Sequence, residues 1–125
     1  SGIMSRDFLT MPKETRVGEA LAQIRKSRLE AESISYIYVV NPGTRTLIGV
    51  VDLRDLVLAD DGLPLAEVMT SPVVMAEADD VQDDLAEMFA KYHFRLIPVV
   101  DGQDTILGII RYEDIMKGVE TRIKI

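Results

Sequence analysis

The sequence predicts an α/β fold made of two β-α-β-β-α repeats, related by pseudo-two-fold symmetry. Three observations carry that expectation. The chain repeats itself, with an offset that drifts from 65 to 59 residues. Both copies run through helical and extended periodicities in the same order. Each copy then passes from its last extended run straight into a short helix, at Gly49-Val50-Val51-Asp52-Leu53-Arg54-Asp55 and again at Gly108-Ile109-Ile110-Arg111-Tyr112-Glu113-Asp114.

The repeat can be followed element by element. Met4-Ser5 recurs as Met69-Thr70, and the stretch from Val17 to Ile24 as Val81 to Met88. In the first copy Val17, Ala20, Leu21 and Ile24 fall at i, i+3, i+4 and i+7, the apolar stripe of an amphipathic helix. Leu85, Met88, Phe89 and Tyr92 repeat that spacing, and Asp79 or Asp80 is placed to cap the second helix. Two extended runs follow each helix, Ser35 to Val40 and Leu47 to Val51, then Arg95 to Val100 and Ile106 to Ile110. Asn41-Pro42-Gly43 and Asp101-Gly102 supply the turns between them. Short helices close the copies, from Leu53 to about Ala59 and from Tyr112 to about Lys117. The expected units are 1–62 and 63–125, two copies that need each other to close a core. A strand running directly into a helix is expected to present N–H groups and the positive dipole end to a ligand.

Composition narrows the function. The 125 residues are 47% hydrophobic but only 6% aromatic, so the core is built from Val, Ile, Leu and Ala. A formal charge of −7 argues against a nucleic-acid surface, which needs clustered Lys and Arg. The absence of cysteine excludes disulfides and thiolate metal sites, and is compatible with a reducing cytosol. Apolar runs such as Leu47 to Val51 are far shorter than the roughly 20 residues a membrane span needs. The N-terminus lacks the pattern of a signal peptide, and the chain is expected to be a soluble piece of something larger. His93 is the only histidine, and no serine has an evident base, so no catalytic residue is assigned and the chain is not expected to be an enzyme. The six methionines are scattered and are expected to fill core gaps.

The doubled Gly-h-h-x-x-x-Asp junction, together with Pro98-Val99-Val100-Asp101 and Val68-Met69-Thr70, resembles the CBS domain pair over essentially the whole chain. Ser33-Ile34-Ser35-Tyr36-Ile37-Tyr38-Val39-Val40, followed by Gly49 to Leu56, is similar to the first CBS domain of MgtE-type magnesium transporters. The resemblance implies a regulatory module on the cytoplasmic side of a membrane-embedded homodimer. It implies dimerisation through the CBS helices and attachment to an acidic N-terminal domain and a transmembrane domain. In that family Mg²⁺ between acidic surfaces holds the pore closed, and ATP bound in the CBS pair tunes the response.

Carried over residue by residue, the resemblance implies a cleft for ATP or another adenine nucleotide lined by Tyr36, Ile37, Asp52, Leu53, Arg54, Asp55, Val74, Phe94 and Pro98. Asp55 matches the ribose-binding aspartate, Arg54 a position near the phosphates, and Tyr36 and Phe94 the walls of the base pocket. A carboxylate for a diol, a guanidinium for phosphate and rings for a purine make a coherent set. The pattern departs at Asp52 and Arg111, where nucleotide-binding CBS motifs often carry Ser or Thr. Asp52 reads as an N-cap or as a charge close to the phosphates. Arg111 points into solvent, meets an anion, or obstructs the second cleft, leaving that cleft the weaker site. For Mg²⁺ the resemblance favours Asp114, with Asp80 and Asp83 as further candidates, yet two acidic positions of the family fall at Val81 and His93. The acidic helix start around Asp79, Asp80, Asp83, Asp84 and Glu87, and Asp60-Asp61, read equally as solvated faces. Two other functions stay open: an adenine-nucleotide sensor attached to an enzyme or standing alone, and a purely structural dimerisation module.

Overall fold

The computed structural model describes residues 4–78 and 82–115, with nothing assigned to the side chains of 82–84. The Asp79, Asp80 and Lys117 expectations lie outside these residues, as does the side chain of Asp83. Two sheets face each other across an apolar interior, each covered on its outer side by helices. In chain order the elements are β1 (Met4–Ser5), β2 (Thr10–Pro12), α1 (Val17–Lys26), a 3₁₀ turn (Ala31–Ile34), β3 (Tyr36–Val40), β4 (Leu47–Asp52), α2 (Leu53–Leu58), α3 (Leu65–Val68), β5 (Ala76–Glu77), α4 (Gln82–Tyr92), β6 (Leu96–Val100) and β7 (Ile106–Arg111). A further helix is described from Tyr112 to Ile115. The helices, strands and strand-to-helix junctions expected from the sequence are present, with ends shifted by a residue or so.

β2 runs parallel to β3, with α1 as the crossover, and β3 pairs antiparallel with β4. β5, β6 and β7 repeat this order in the second sheet. The hairpins match in detail. Both have a register shift, at Val39/Val40 and Val99/Val100. Both place one non-glycine residue in the left-handed region, Arg45 at φ 62° and Asp104 at φ 62°. Their tips meet, because Thr46 bridges Thr105 and the Leu47 N–H donates to the Asp104 carbonyl at 2.9 Å.

Strand periodicity sorts the apolar runs into three cores. Ile37 and Val39 face α1 and α2, packing with Met11, Val17, Ala20, Ile24, Val51 and Leu56. Ile97 and Val99 face α4, packing with Leu85, Phe89 and Ile110. The alternate residues, Tyr38 on β3 and Leu96 and Val100 on β6, meet between the sheets with Leu47 and Ile109. Strands buried on both faces explain why these segments read as continuous apolar runs rather than as alternation. α1 is itself an amphipathic stripe, with Val17, Ala20 and Ile24 inward and Arg25 and Lys26 in the last turn to suit the dipole.

The sequence reading did not anticipate where the leading segments go. β1 opens the chain, yet it pairs with β7 in the second sheet, Met4 opposite Ile110 and Ser5 opposite Ile109. The equivalent Thr70 pairs with Val50 of β4 in the first sheet, through N–H to carbonyl bonds of 3.1 and 2.8 Å in the two directions. Each repeat therefore completes the sheet of the other. The crossing explains the motif glycines, neither of which has a positive φ. A Cβ on Gly49 would meet the Met69 side chain, with Cγ at 2.8 Å, and one on Gly108 would meet Met4 Cγ at 2.5 Å and the Ser5 carbonyl at 2.7 Å.

The two glycines differ in what stands over them, and this predicts an asymmetry. Gly108→Ala drives a methyl into the Ser5 backbone and is expected to cost about 1–3 kcal/mol in urea unfolding. Gly49→Ala meets only the Met69 side chain, which can move, so it costs less, and Met69→Ala should relieve it. Equal costs at both positions, unrelieved by Met69→Ala, would show that close approach is not why glycine stands there.

Candidate functional site

The face of β3 that carries Tyr36 and Tyr38 meets the face of β6 that carries Leu96 and Pro98, and a slot opens between them. Its lining is Tyr36, Tyr38, Val50, Val73, Val74, Phe94, Leu96 and Pro98, and its volume is about 40 Å³. That is room for about one water molecule, so a planar ring enters only if the mouth opens. The mouth is made of aromatic rings. Tyr36 and Phe94 meet edge to face at 6.2 Å between centroids, and Tyr92 stacks on Phe94 at 5.5 Å. The Tyr36 hydroxyl accepts a 3.4 Å hydrogen bond from the Arg95 N–H, tying the first repeat to the second.

Tyr36 also lines a separate polar pocket of about 390 Å³, together with Ser35, Asp52, Leu53, Arg54, His93 and Arg95. Its floor is the junction of β4 and α2. The Leu53 N–H donates to the Ser35 carbonyl at 2.9 Å, and the Arg54 N–H to Asp52 Oδ1 at 2.8 Å. The expectation that this helix start offers its N–H groups to a ligand is corrected for these two, which are taken by the fold. Asp52 is the N-cap, and the same oxygen accepts from Arg54 Nε at 3.4 Å. That hydrogen bond raises the Arg54 pKa above its ordinary value. Arg54 is exposed and projects from the pocket rim.

The expected nucleotide-site residues divide accordingly. Tyr36, Val74, Phe94 and Pro98 wall the apolar slot, while Asp52, Leu53 and Arg54 join Tyr36 in the polar pocket. The Ile37 side chain lines neither space: it is fully buried on the opposite face of β3, against α1. Asp55 is exposed on α2, next to Arg54 and outside the lining of either space. The sequence reading missed Tyr38, Val50, Val73 and Leu96 in the slot, although stepping by two from Tyr36 and Phe94 reaches Tyr38 and Leu96. It also missed His93 and Arg95, which flank Phe94. His93 ends α4 in the left-handed region, φ 58°, with its N–H on the Phe89 carbonyl at 2.9 Å.

The second junction is arranged differently. Arg111 Nε donates to Asp114 Oδ2 at 2.9 Å, and Nη1 lies 3.6 Å from Glu30 of the first repeat. Arg111 therefore neither points away into solvent nor stands ready for an anion. It lies over the carboxylate that matches Asp55, and the hydrogen bond to Asp114 raises its own pKa. Beside it, Glu32 and Arg95 approach to 3.6 Å, a second contact across the repeats. Among the described residues no three His, Cys, Asp or Glu side chains gather to hold a metal ion. Of the residues expected at Mg²⁺, Asp114 is engaged by Arg111, and Asp80 and the side chain of Asp83 lie outside the described residues. Among the described residues no helix is long and apolar enough to cross a membrane.

Comparison with known proteins matches this geometry to a family. The CBS domain family matches residues 1–62 and 65–121, and the chain belongs to it. The magnesium transporter MgtE of Thermus thermophilus is 36% identical over 119 residues, covering 95% of this chain and 26% of the transporter, so the chain spans about a quarter of that relative. The crystal structure of the soluble part of a magnesium transporter superposes with a TM-score of 0.88 at 31% identity, over 98% of this chain and 47% of that one. The cytosolic domain of the Mg²⁺ channel MgtE in complex with ATP superposes at 0.87 with 36% identity, over 94% of this chain and 47% of that one.

The two Arg–Asp pairs should be worth different amounts. Arg111 and Asp114 are mostly covered, with side chains 23% and 15% exposed. A double-mutant cycle on Arg111→Ala and Asp114→Ala is expected to give a coupling of about 1 kcal/mol. The cycle on Arg54 and Asp52, where Arg54 is 88% exposed, should give less, because solvent screens the pair. The reverse order would place the tighter clamp at the first junction.

Proposed function

We propose that this chain is the cytosolic regulatory module of an MgtE-type Mg²⁺ transporter or channel, with no catalytic activity of its own. It works on the cytoplasmic side of the membrane as units 1–62 and 63–125, joined to an acidic N-terminal domain and a transmembrane domain. The observation that carries this reading is the match of nearly the whole chain to the cytosolic domain of the Mg²⁺ channel MgtE at 36% identity and to the soluble part of a magnesium transporter at 31%. The module senses intracellular Mg²⁺ through acidic groups, Asp114, Asp80 and Asp83 among them, in sites completed by the rest of the transporter. The isolated chain therefore holds the ion weakly, since a few carboxylates leave Mg²⁺ mostly hydrated.

An adenine nucleotide, ATP first among them, binds in the first cleft. The base enters the slot between Tyr36, Val74, Phe94 and Pro98, the ribose lies along Leu53 and Asp55, and the phosphates reach Arg54. Support comes from the apolar slot and the polar pocket edged by Arg54 and Arg95, which share Tyr36, and from the related domain whose structure holds ATP. Asp114 is the matching residue of the second cleft, but Arg111 already holds its carboxylate. Two such modules associate through their helices. Val57 and Leu58 on α2 support this, being apolar side chains left 60% and 84% exposed.

Calorimetry with ATP and adenosine tests the cleft. Asp55→Ala is expected to weaken both about tenfold, since a charged acceptor contributes roughly 1.5–3 kcal/mol. Arg54→Ala should weaken ATP more than adenosine, and Asp114→Ala should leave both nearly unchanged. Binding lost in Asp114→Ala and kept in Asp55→Ala would move the ligand to the second cleft. Sedimentation tests the assembly: Leu58→Glu should shift a dimer to monomer without loss of fold, and an unchanged dimer would place the interface elsewhere.

A further inference from the structure

Tyr38 sits deeper in the slot than the rings at its mouth. It follows Tyr36 by two residues on the same face of β3, about 6.6 Å further along the strand. Its side chain is 1% exposed and lines the slot together with Val50, Leu96 and Pro98. Phe8 packs edge to face against its ring, at 6.4 Å. Its surroundings are otherwise apolar: Leu47, Leu96, Val100 and Ile109 form the cluster around it. Within that cluster the hydroxyl is fully buried and has no hydrogen-bond partner among the described residues.

A phenylalanine would fill this space as well and would avoid the cost of burying a lone hydroxyl, which folded proteins rarely leave unmatched. The polar pocket holding Asp52 and Arg54 shares Tyr36 with the slot. A ligand with its sugar and anionic part in that pocket therefore drives its ring toward Tyr38. Burial, and to a lesser degree Tyr36 beside it, push the phenol well above its ordinary range, so at neutral pH it is a donor. The other residues that line the slot are apolar or aromatic, and the one further hydroxyl among them, that of Tyr36, already accepts from the Arg95 N–H.

We propose that the Tyr38 hydroxyl is the polar contact that reads the base, donating a hydrogen bond to a ring nitrogen of a purine held in the slot. This rests on the nucleotide reading of the same cleft and adds to it the residue that selects the base. The hydroxyl is unpaired without the ligand and paired with it, so a specificity of this kind comes at a standing cost to the empty protein.

Tyr38→Phe separates the two states, because its effects have opposite signs. Without ligand the variant should melt about 2–4 °C higher, having lost a partnerless buried hydroxyl. Its affinity for ATP by calorimetry should fall about three- to tenfold. ATP analogues with each ring nitrogen replaced in turn by carbon supply a second measurement, made on the unaltered chain. One of them should lose the same factor on the unaltered chain and lose nothing more on Tyr38→Phe. Equal ATP affinity in Tyr38→Phe, or equal affinity of the unaltered chain for every analogue, overturns the assignment while leaving the nucleotide reading intact. An unaltered chain that binds no adenine nucleotide overturns that reading, and this one with it.

Discussion

The structure depends on one exchange: each repeat lends its leading segment to the sheet of the other, and the segment lies over a glycine. β1 pairs with β7 across Gly108, and Thr70 pairs with β4 while the Met69 side chain lies over Gly49. A repeat of about 60 residues buries a smaller share of its surface when alone than a larger domain does, and is marginal for that reason. Its sheet would also end in an unpaired edge at β4 or β7. The exchange supplies the missing neighbour and holds the two sheets face to face. Tyr38, Leu96, Val100 and Ile109 then form a shared core that neither repeat could build by itself.

The candidate site is a consequence of that arrangement. Sheets held apart by large side chains leave a slot where Tyr36 of one repeat meets Phe94 of the other. Both strand-to-helix junctions could have opened onto such a space, but local charge makes them unequal. At the first, Asp52 caps α2, and Arg54 extends into solvent at the rim of a polar pocket. At the second, Arg111 replaces the cap and closes over Asp114. Two charge reversals within the motif, Asp52 against Arg111 and Arg54 against Glu113, go with one accessible carboxylate, Asp55, and one occupied one, Asp114.

Much of this was legible in the sequence. The repeat, the helical stripe of Val17, Ala20 and Ile24, the strands and the two junctions all follow from periodicity and self-similarity, which are local signals. The aromatic mouth was legible from the resemblance, and four of its expected residues do wall the slot. The exchange of β1 was not, because Met4-Ser5 is too short to reveal its partner and pairing is non-local. A resemblance read along the chain does not separate the two faces of β3, and the Ile37 side chain lies on the helix side. His93 and Arg95 escaped because neither carries a motif, and only the turn that ends α4 brings them to the pocket.

The account stands on the two repeats closing one another, and cutting the chain between residues 62 and 63 tests this most directly. Each half, taken alone through a urea titration followed by circular dichroism, is predicted to show no cooperative transition. Mixed in equal amounts, the halves should recover one transition with the steepness expected of the whole surface buried. A half that unfolds cooperatively by itself, unaffected by the other, would contradict the account. It would show that the repeats are independent domains and that the cleft between them is incidental.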